Sequence, residues 1–127
     1  MKLYRTMKID PTDGKPLVGK RRNMLGVRPT DPTNTNPRRK FDVDAAIGSD
    51  PVTPGARQGL SVSTASGGLF PDEDEAIWEI DDSELLPDFN AVPDHPPHHV
   101  LEPTGVMTLN EYQAALVATR DTWVRVL

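Results

Sequence analysis

The chain of 127 residues contains no cysteine, which excludes a disulfide framework and a thiolate metal centre. The absence fits a reducing compartment, and the cytoplasm is the expected location. Aromatic residues make up only 6% and hydrophobic residues 36% of the chain, so the core is expected to be modest for a single domain over 1–127. No apolar run approaches the roughly 20 residues of a membrane span. The N-terminal MKLYRTMKID lacks the apolar stretch of a secretory signal, so neither membrane insertion nor a cleaved leader is expected. A G-x-G-x-x-G turn, a Walker loop, an H-E-x-x-H pair and a nucleophile elbow are all missing, which removes the usual sequence grounds for those chemistries.

What the chain does have is proline, glycine and an uneven charge. Thirteen prolines and nine glycines predict short strands separated by long irregular connections. Residues 1–40 hold eleven Lys/Arg against three Asp/Glu, and residues 41–127 hold three against sixteen. Either the two halves pack together and cancel, or the basic half seeks an anion such as phosphate.

The central stretch is Gly59–Ser66, GLSVSTAS. It reads as a short strand with Leu60 and Val62 on one face and Ser61 and Ser63 on the other, closed by Gly67-Gly68. Lys2–Ile9 alternates apolar and polar residues, which predicts a first strand. Arg5 shares a face with Leu3 and Met7, so it must reach an edge, a carboxylate or a ligand. Lys15–Lys40 is a basic loop whose one apolar knot is Leu25-Gly26-Val27. Phe41–Ile47 is either a strand or a helical turn. Ala76–Ile80 is a clear strand, Asp81–Leu86 a helical turn, Asp88–Val92 and His98–Glu102 further strands, and Pro93–Pro97 a rigid loop. Thr108 and Glu111 form a capping box. From there the spacing of Leu109, Tyr112, Leu116, Trp123 and Leu127 predicts an amphipathic helix over Thr108–Leu127. The fold class expected is α+β: a split, twisted sheet of short strands, long Pro/Gly-rich loops and a C-terminal amphipathic helix. Trp78 and Trp123 are expected in the core.

Three motifs in order, Leu3-Tyr4-Arg5, Gly59-Leu60-Ser61-Val62-Ser63, and Val100-Leu101-Glu102-Pro103 leading through Val106-Met107-Thr108 into the helix, carry a resemblance. The chain resembles small bacterial toxins, type VI secretion effectors with an ADP-ribosyltransferase-like fold, over its whole length. The resemblance implies a cleft for NAD or a related nucleotide, transfer of ADP-ribose or hydrolysis of NAD inside a target cell, an acceptor the sequence does not identify, and an immunity protein in the producing cell. It also suggests roles. Breaking the nicotinamide–ribose bond passes through a cationic state, so such a site needs a phosphate grip, a hydroxyl-lined nicotinamide end and an opposing carboxylate. Arg5, with its planar guanidinium, suits the first. Tyr4, Ser61, Ser63 and Thr64 would line the pocket. Glu102 would be the carboxylate, with Glu79 and Glu111 as substitutes. The Glu-x-Glu pair of many ADP-ribosyltransferases is absent.

Each residue also has a plainer reading. Arg5 could pair with a downstream carboxylate, the serines could face solvent, and Glu111 could serve only the helix cap. Asp94-His95-Pro96-Pro97-His98-His99 contains ordinary metal ligands, yet the prolines hold the backbone extended and His98 and His99 would face opposite ways. No metal is expected there; an exposed loop or a pocket-lining histidine is. Lys20-Arg21-Arg22 and Arg38-Arg39-Lys40 read as solvated loops or as a patch that steers a dinucleotide or RNA. The rival functions are a non-catalytic binding module on the same fold and a structural or phage-type accessory protein with the proline-rich middle as an assembly arm.

Overall fold

A computed structural model describes all residues, 1–127. Six strands form one antiparallel sheet: β1 (Lys2–Lys8), β3 (Leu60–Ser63), β4 (Glu75–Asp81), β5 (Phe89–His95), β6 (His98–Pro103) and β8 (Val124–Arg125). Their spatial order is β5-β6-β3-β1-β4-β8. A small ribbon pairs β2 (Pro51–Val52) with β7 (Met107–Thr108), and one helix, α1 (Leu109–Ala118), follows it. The fold is α+β with an antiparallel sheet and one C-terminal helix. No helix is long and apolar enough to cross a membrane.

The two halves of the sheet are joined weakly. β1 runs along β4 through seven matched pairs, from Lys2↔Asp81 to Lys8↔Glu75. It meets β3 at one pair alone, Tyr4↔Ser63. β3 in turn pairs fully with β6, from Leu60↔Leu101 to Ser63↔His98. The alternation of Leu3 and Met7, and of Leu60 and Val62, puts these four side chains in the buried core with Trp78, Ile80 and Leu101. α1 covers that face with Leu109, Tyr112 and Leu116.

Tyr112 fastens the helix to the sheet. Its hydroxyl donates to the Leu101 carbonyl at 2.6 Å and accepts from the Leu60 N–H at 2.9 Å, both buried. Burial raises its phenol pKa well above the ordinary value. Gly59 makes room for this contact: its φ is +150°, and a Cβ there would overlap the Leu101 carbonyl and the Tyr112 hydroxyl.

Three expectations need correction. The helix stops at Ala118 instead of reaching Leu127. Thr119 turns its hydroxyl back to the Leu116 carbonyl at 2.6 Å and receives the Trp123 indole N–H at 3.0 Å. Arg120 is drawn to Asp10, Asp13 and the Pro16 carbonyl. A short 3₁₀ turn over Arg120–Thr122 follows, and the tail joins the sheet as β8 against β4. Trp123 is buried, as expected, but from this tail and not from a helix face. Phe41–Ile47 is neither strand nor helical turn. Its backbone is held by Arg28, Thr30, Asp50 and Gln58, so Val43 and Ala45 are buried without a strand partner. The Pro93–Pro97 loop is shorter than expected, because Pro93–His95 belong to β5. β5 is an edge strand, where a residue without an N–H is tolerated.

Replacing Tyr112 by Phe leaves one buried N–H and one buried carbonyl unpaired, so a loss of about 2–4 kcal/mol is expected in urea unfolding. A second expectation concerns acid. Asp81 accepts from the Ser83 N–H at 3.0 Å and from its hydroxyl at 2.9 Å, with the N-terminal amine 3.8 Å away. These hold its pKa down from 3.8 to about 2. A depressed folded-state pKa contributes stability that is present above the unfolded value and lost as pH falls through the folded one. Thermal midpoints of the wild type should therefore fall from pH 3.8 toward pH 2, and those of Asp81→Asn should fall less over that window.

Candidate functional site

The single rung between β1 and β3 leaves a gap that the Arg5 side chain enters. Its Nη1 donates to the Ser61 carbonyl at 2.9 Å and its Nη2 to the Met24 carbonyl at 3.0 Å. Its Nε is buried without a partner. Arg5 forms no ion pair: the nearby carboxylate, Asp42, is taken by Arg28, with Nε–Oδ2 at 3.1 Å and Nη2–Oδ1 at 3.0 Å. Burial, with a smaller contribution from Arg28, lowers the Arg5 guanidinium to about 10 against the upward pull of the Asp42 charge. It still carries a full positive charge at neutral pH. A partly buried cation held by two carbonyl dipoles, with no carboxylate in direct contact, favours an anion from outside.

Two clefts open onto it. The larger, about 450 Å³, is bordered by Tyr4, Arg5, Ser61, Ser63, Phe70 and His98, with Arg22 and Asn23 behind. The smaller, about 170 Å³, gathers Arg5, Arg22, Arg28, Asn23, Asp42 and Ser61 and has no hydrophobic wall. Three guanidinium groups thus converge on a gap in the sheet. A third cleft of about 560 Å³ lies beyond Tyr4 and shares Leu69 and Phe70 with the first; Glu79 is in its wall. Phe70 is 85% exposed, so its ring face is free for stacking.

The expected site residues separate into those brought together and those not. Tyr4, Arg5, Ser61 and Ser63 all border the larger cleft. The Ser63 hydroxyl is engaged locally, donating to the Ala65 carbonyl at 2.8 Å and accepting from the Ala65 N–H at 3.1 Å. Thr64 lies outside the lining and gives its N–H and hydroxyl to the Pro97 carbonyl, at 2.9 and 3.3 Å. Glu102 is not at the cleft either. It is buried, and its oxygens accept the Gly55 N–H at 3.0 Å and the Arg57 N–H at 2.6 Å. Gly55 and Arg57 have φ of +87° and +54°, turning their amides onto one carboxylate. Glu102 is thus a brace for the 55–57 loop. Glu111 accepts the Thr108 N–H at 3.0 Å as the capping-box residue. Of the three carboxylates, Glu79 alone lines a cleft.

The basic and acidic halves pack on each other and partly cancel. Lys2, Lys8, Lys15 and Arg28 pair with Glu79 and Asp81, Asp74, Asp121 and Asp42 in the acidic half. Arg5 and Arg22 do not pair and line the clefts instead. Arg22 belongs to the Lys20-Arg21-Arg22 triplet, so a signal for it was present in the sequence. Arg28 and Asn23 had none: they reach the gap because the 15–40 loop folds back over the sheet, with Lys8 N–H on the Asn23 carbonyl at 2.7 Å and Leu25 N–H on the Leu17 carbonyl at 2.8 Å.

Glu102→Gln should place an amide N–H₂ against a backbone N–H and lower stability by about 1–3 kcal/mol. Calorimetric titration with phosphate should give the same result for the folded variant as for the wild type, because the loop that Glu102 braces does not border the clefts. The chain matches no family model, no curated protein and no solved structure.

Proposed function

We propose that the gap between β1 and β3 binds a phosphate-bearing nucleotide, NAD or a close relative. On this reading the protein is a toxin-like enzyme of ADP-ribosyltransferase-like fold that transfers ADP-ribose to an acceptor, or to water, inside a target cell. The observation that carries the reading is Arg5, a partly buried cation whose Nε has no partner and which makes no salt bridge, set on the first strand beside the serine strand. The larger cleft also falls within the roughly 300–1,000 Å³ common for small-ligand sites.

Arg5 and Arg22 would hold the pyrophosphate, Ser61 would border the nicotinamide ribose, and Tyr4 and Phe70 would flank a flat ring. When the bond between ribose C1′ and the nicotinamide nitrogen breaks, the bonding pair leaves with nicotinamide. A nucleophile then adds to C1′ and gives up its proton. The carboxylate opposing the developing ribose cation would be Glu79, because Glu102 is committed to the 55–57 loop. A non-catalytic binding module is the second reading, and one observation favours it: no carboxylate borders the larger cleft itself.

Calorimetric titration of the wild type with NAD, ADP-ribose and phosphate, followed by assay of nicotinamide release, separates the readings. Binding of NAD that is weakened at least tenfold in Arg5→Ala, about 1.4 kcal/mol, together with nicotinamide release lost in Ser61→Ala and Glu79→Gln, supports the enzyme. Growth arrest on induced expression, relieved by Arg5→Ala at equal protein level, would extend it to a toxin. Binding without nicotinamide release supports the module, and no binding of any of the three overturns the nucleotide reading.

A further inference from the structure

The β5–β6 hairpin turns through Pro96-Pro97, with His95 opposite His98. Regular alternation would send Asp94 to the face opposite His95. The register shifts between Pro93 and His95, so Asp94 is the extra residue of a bulge. The bulge re-aims its side chain onto the two histidines. Asp94 Oδ2 lies 3.1 Å from His98 Nδ1 and 3.3 Å from His95 Nδ1. The imidazoles stack with centroids 5.0 Å apart and planes at 25°. The His95 side chain is 78% exposed and that of His98 32%.

We infer that Asp94, His95 and His98 form a binding site for a zinc-class divalent cation at the rim of the larger cleft. One ligand atom from each residue lies within 4.8 Å of the other two. Zinc bound to nitrogen and oxygen at about 2.0–2.1 Å places neighbouring ligands about 3.3 Å apart in a tetrahedron, which the two distances to Asp94 Oδ2 already approach. Two imidazoles and one carboxylate are also the donor types that zinc and nickel prefer over magnesium or calcium. The other carboxylate oxygen makes only a long contact with Arg57 Nη1 at 3.9 Å, so the close partners of Asp94 are the two histidines that would be its fellow ligands. Three protein ligands leave the ion at least one open position. His98 borders the cleft, so water or an anionic group held there could fill it. His99, the neighbour that made the run look like a metal motif, is buried elsewhere with Nδ1 3.4 Å from the Pro97 carbonyl.

The test is titration of the full chain, without a histidine tag, with zinc chloride, beside Asp94→Ala, His95→Ala and His98→Ala. Thermal melts of the metal-free variants establish that each is folded. One equivalent of zinc per chain is expected, with affinity lowered roughly 10–100-fold or more by each substitution. Cobalt in place of zinc should give the intense visible absorption of a four-coordinate site. Absence of stoichiometric binding overturns the proposal, as does binding that all three folded variants retain.

Discussion

The sheet is organised around a charge that it does not neutralise. Arg5 projects from β1 into the gap before β3, and the Ser61 carbonyl takes its hydrogen bond from that side chain. One backbone rung, Tyr4↔Ser63, completes the junction. Isolated burial of a cation is costly unless dipoles or an anion compensate it. Here two carbonyls supply the dipoles, and the nearest carboxylate is already bound to Arg28. The halves β5-β6-β3 and β1-β4-β8 are therefore held partly by the Arg5 side chain, which also borders both clefts at the gap.

The irregular segments keep that arrangement in place by spending polar side chains on backbone groups. Asp42 receives Arg28, Asp50 takes the N–H groups of Ala46 and Ile47, Glu102 takes those of Gly55 and Arg57, and Gln113 brackets Val27. Long loops carry backbone donors and acceptors that no ladder satisfies, and each needs a partner when buried. Leu25, Val27, Val43 and Ala45 can thus contribute to the core from outside the strands and the helix. A chain with few aromatics gains a core in this way by folding loops inward.

The site and the hairpin use two forms of interrupted β-structure. At β1–β3 the ladder is reduced to one rung and a basic cavity opens. At β5–β6 a bulge rotates one residue onto a face it would otherwise avoid. In both places a departure from regular pairing brings polar side chains together, and regular strands on either side hold them there.

Strand positions with strict alternation were legible from residues alone. Leu3 and Met7, Leu60 and Val62, and the Ala76–Ile80 run each had one face to bury, and the capping box marked the helix start. Arg5 stood out for the same reason, as a charge on an apolar face. The end of the helix was not legible, because Trp123 and Leu127 keep helical spacing while Thr119 and Arg120 leave the helix for partners more than a hundred residues away in the case of Asp10 and Asp13. Nor were the commitment of Glu102 to Gly55 and Arg57, the arrival of Arg28 at the gap, or the turn of Asp94 toward His95 and His98. Local periodicity reports which face a residue takes within its own element. Which carboxylate meets which amide, and which cation is left without one, depends on contacts between distant segments, and only the tertiary structure decided them.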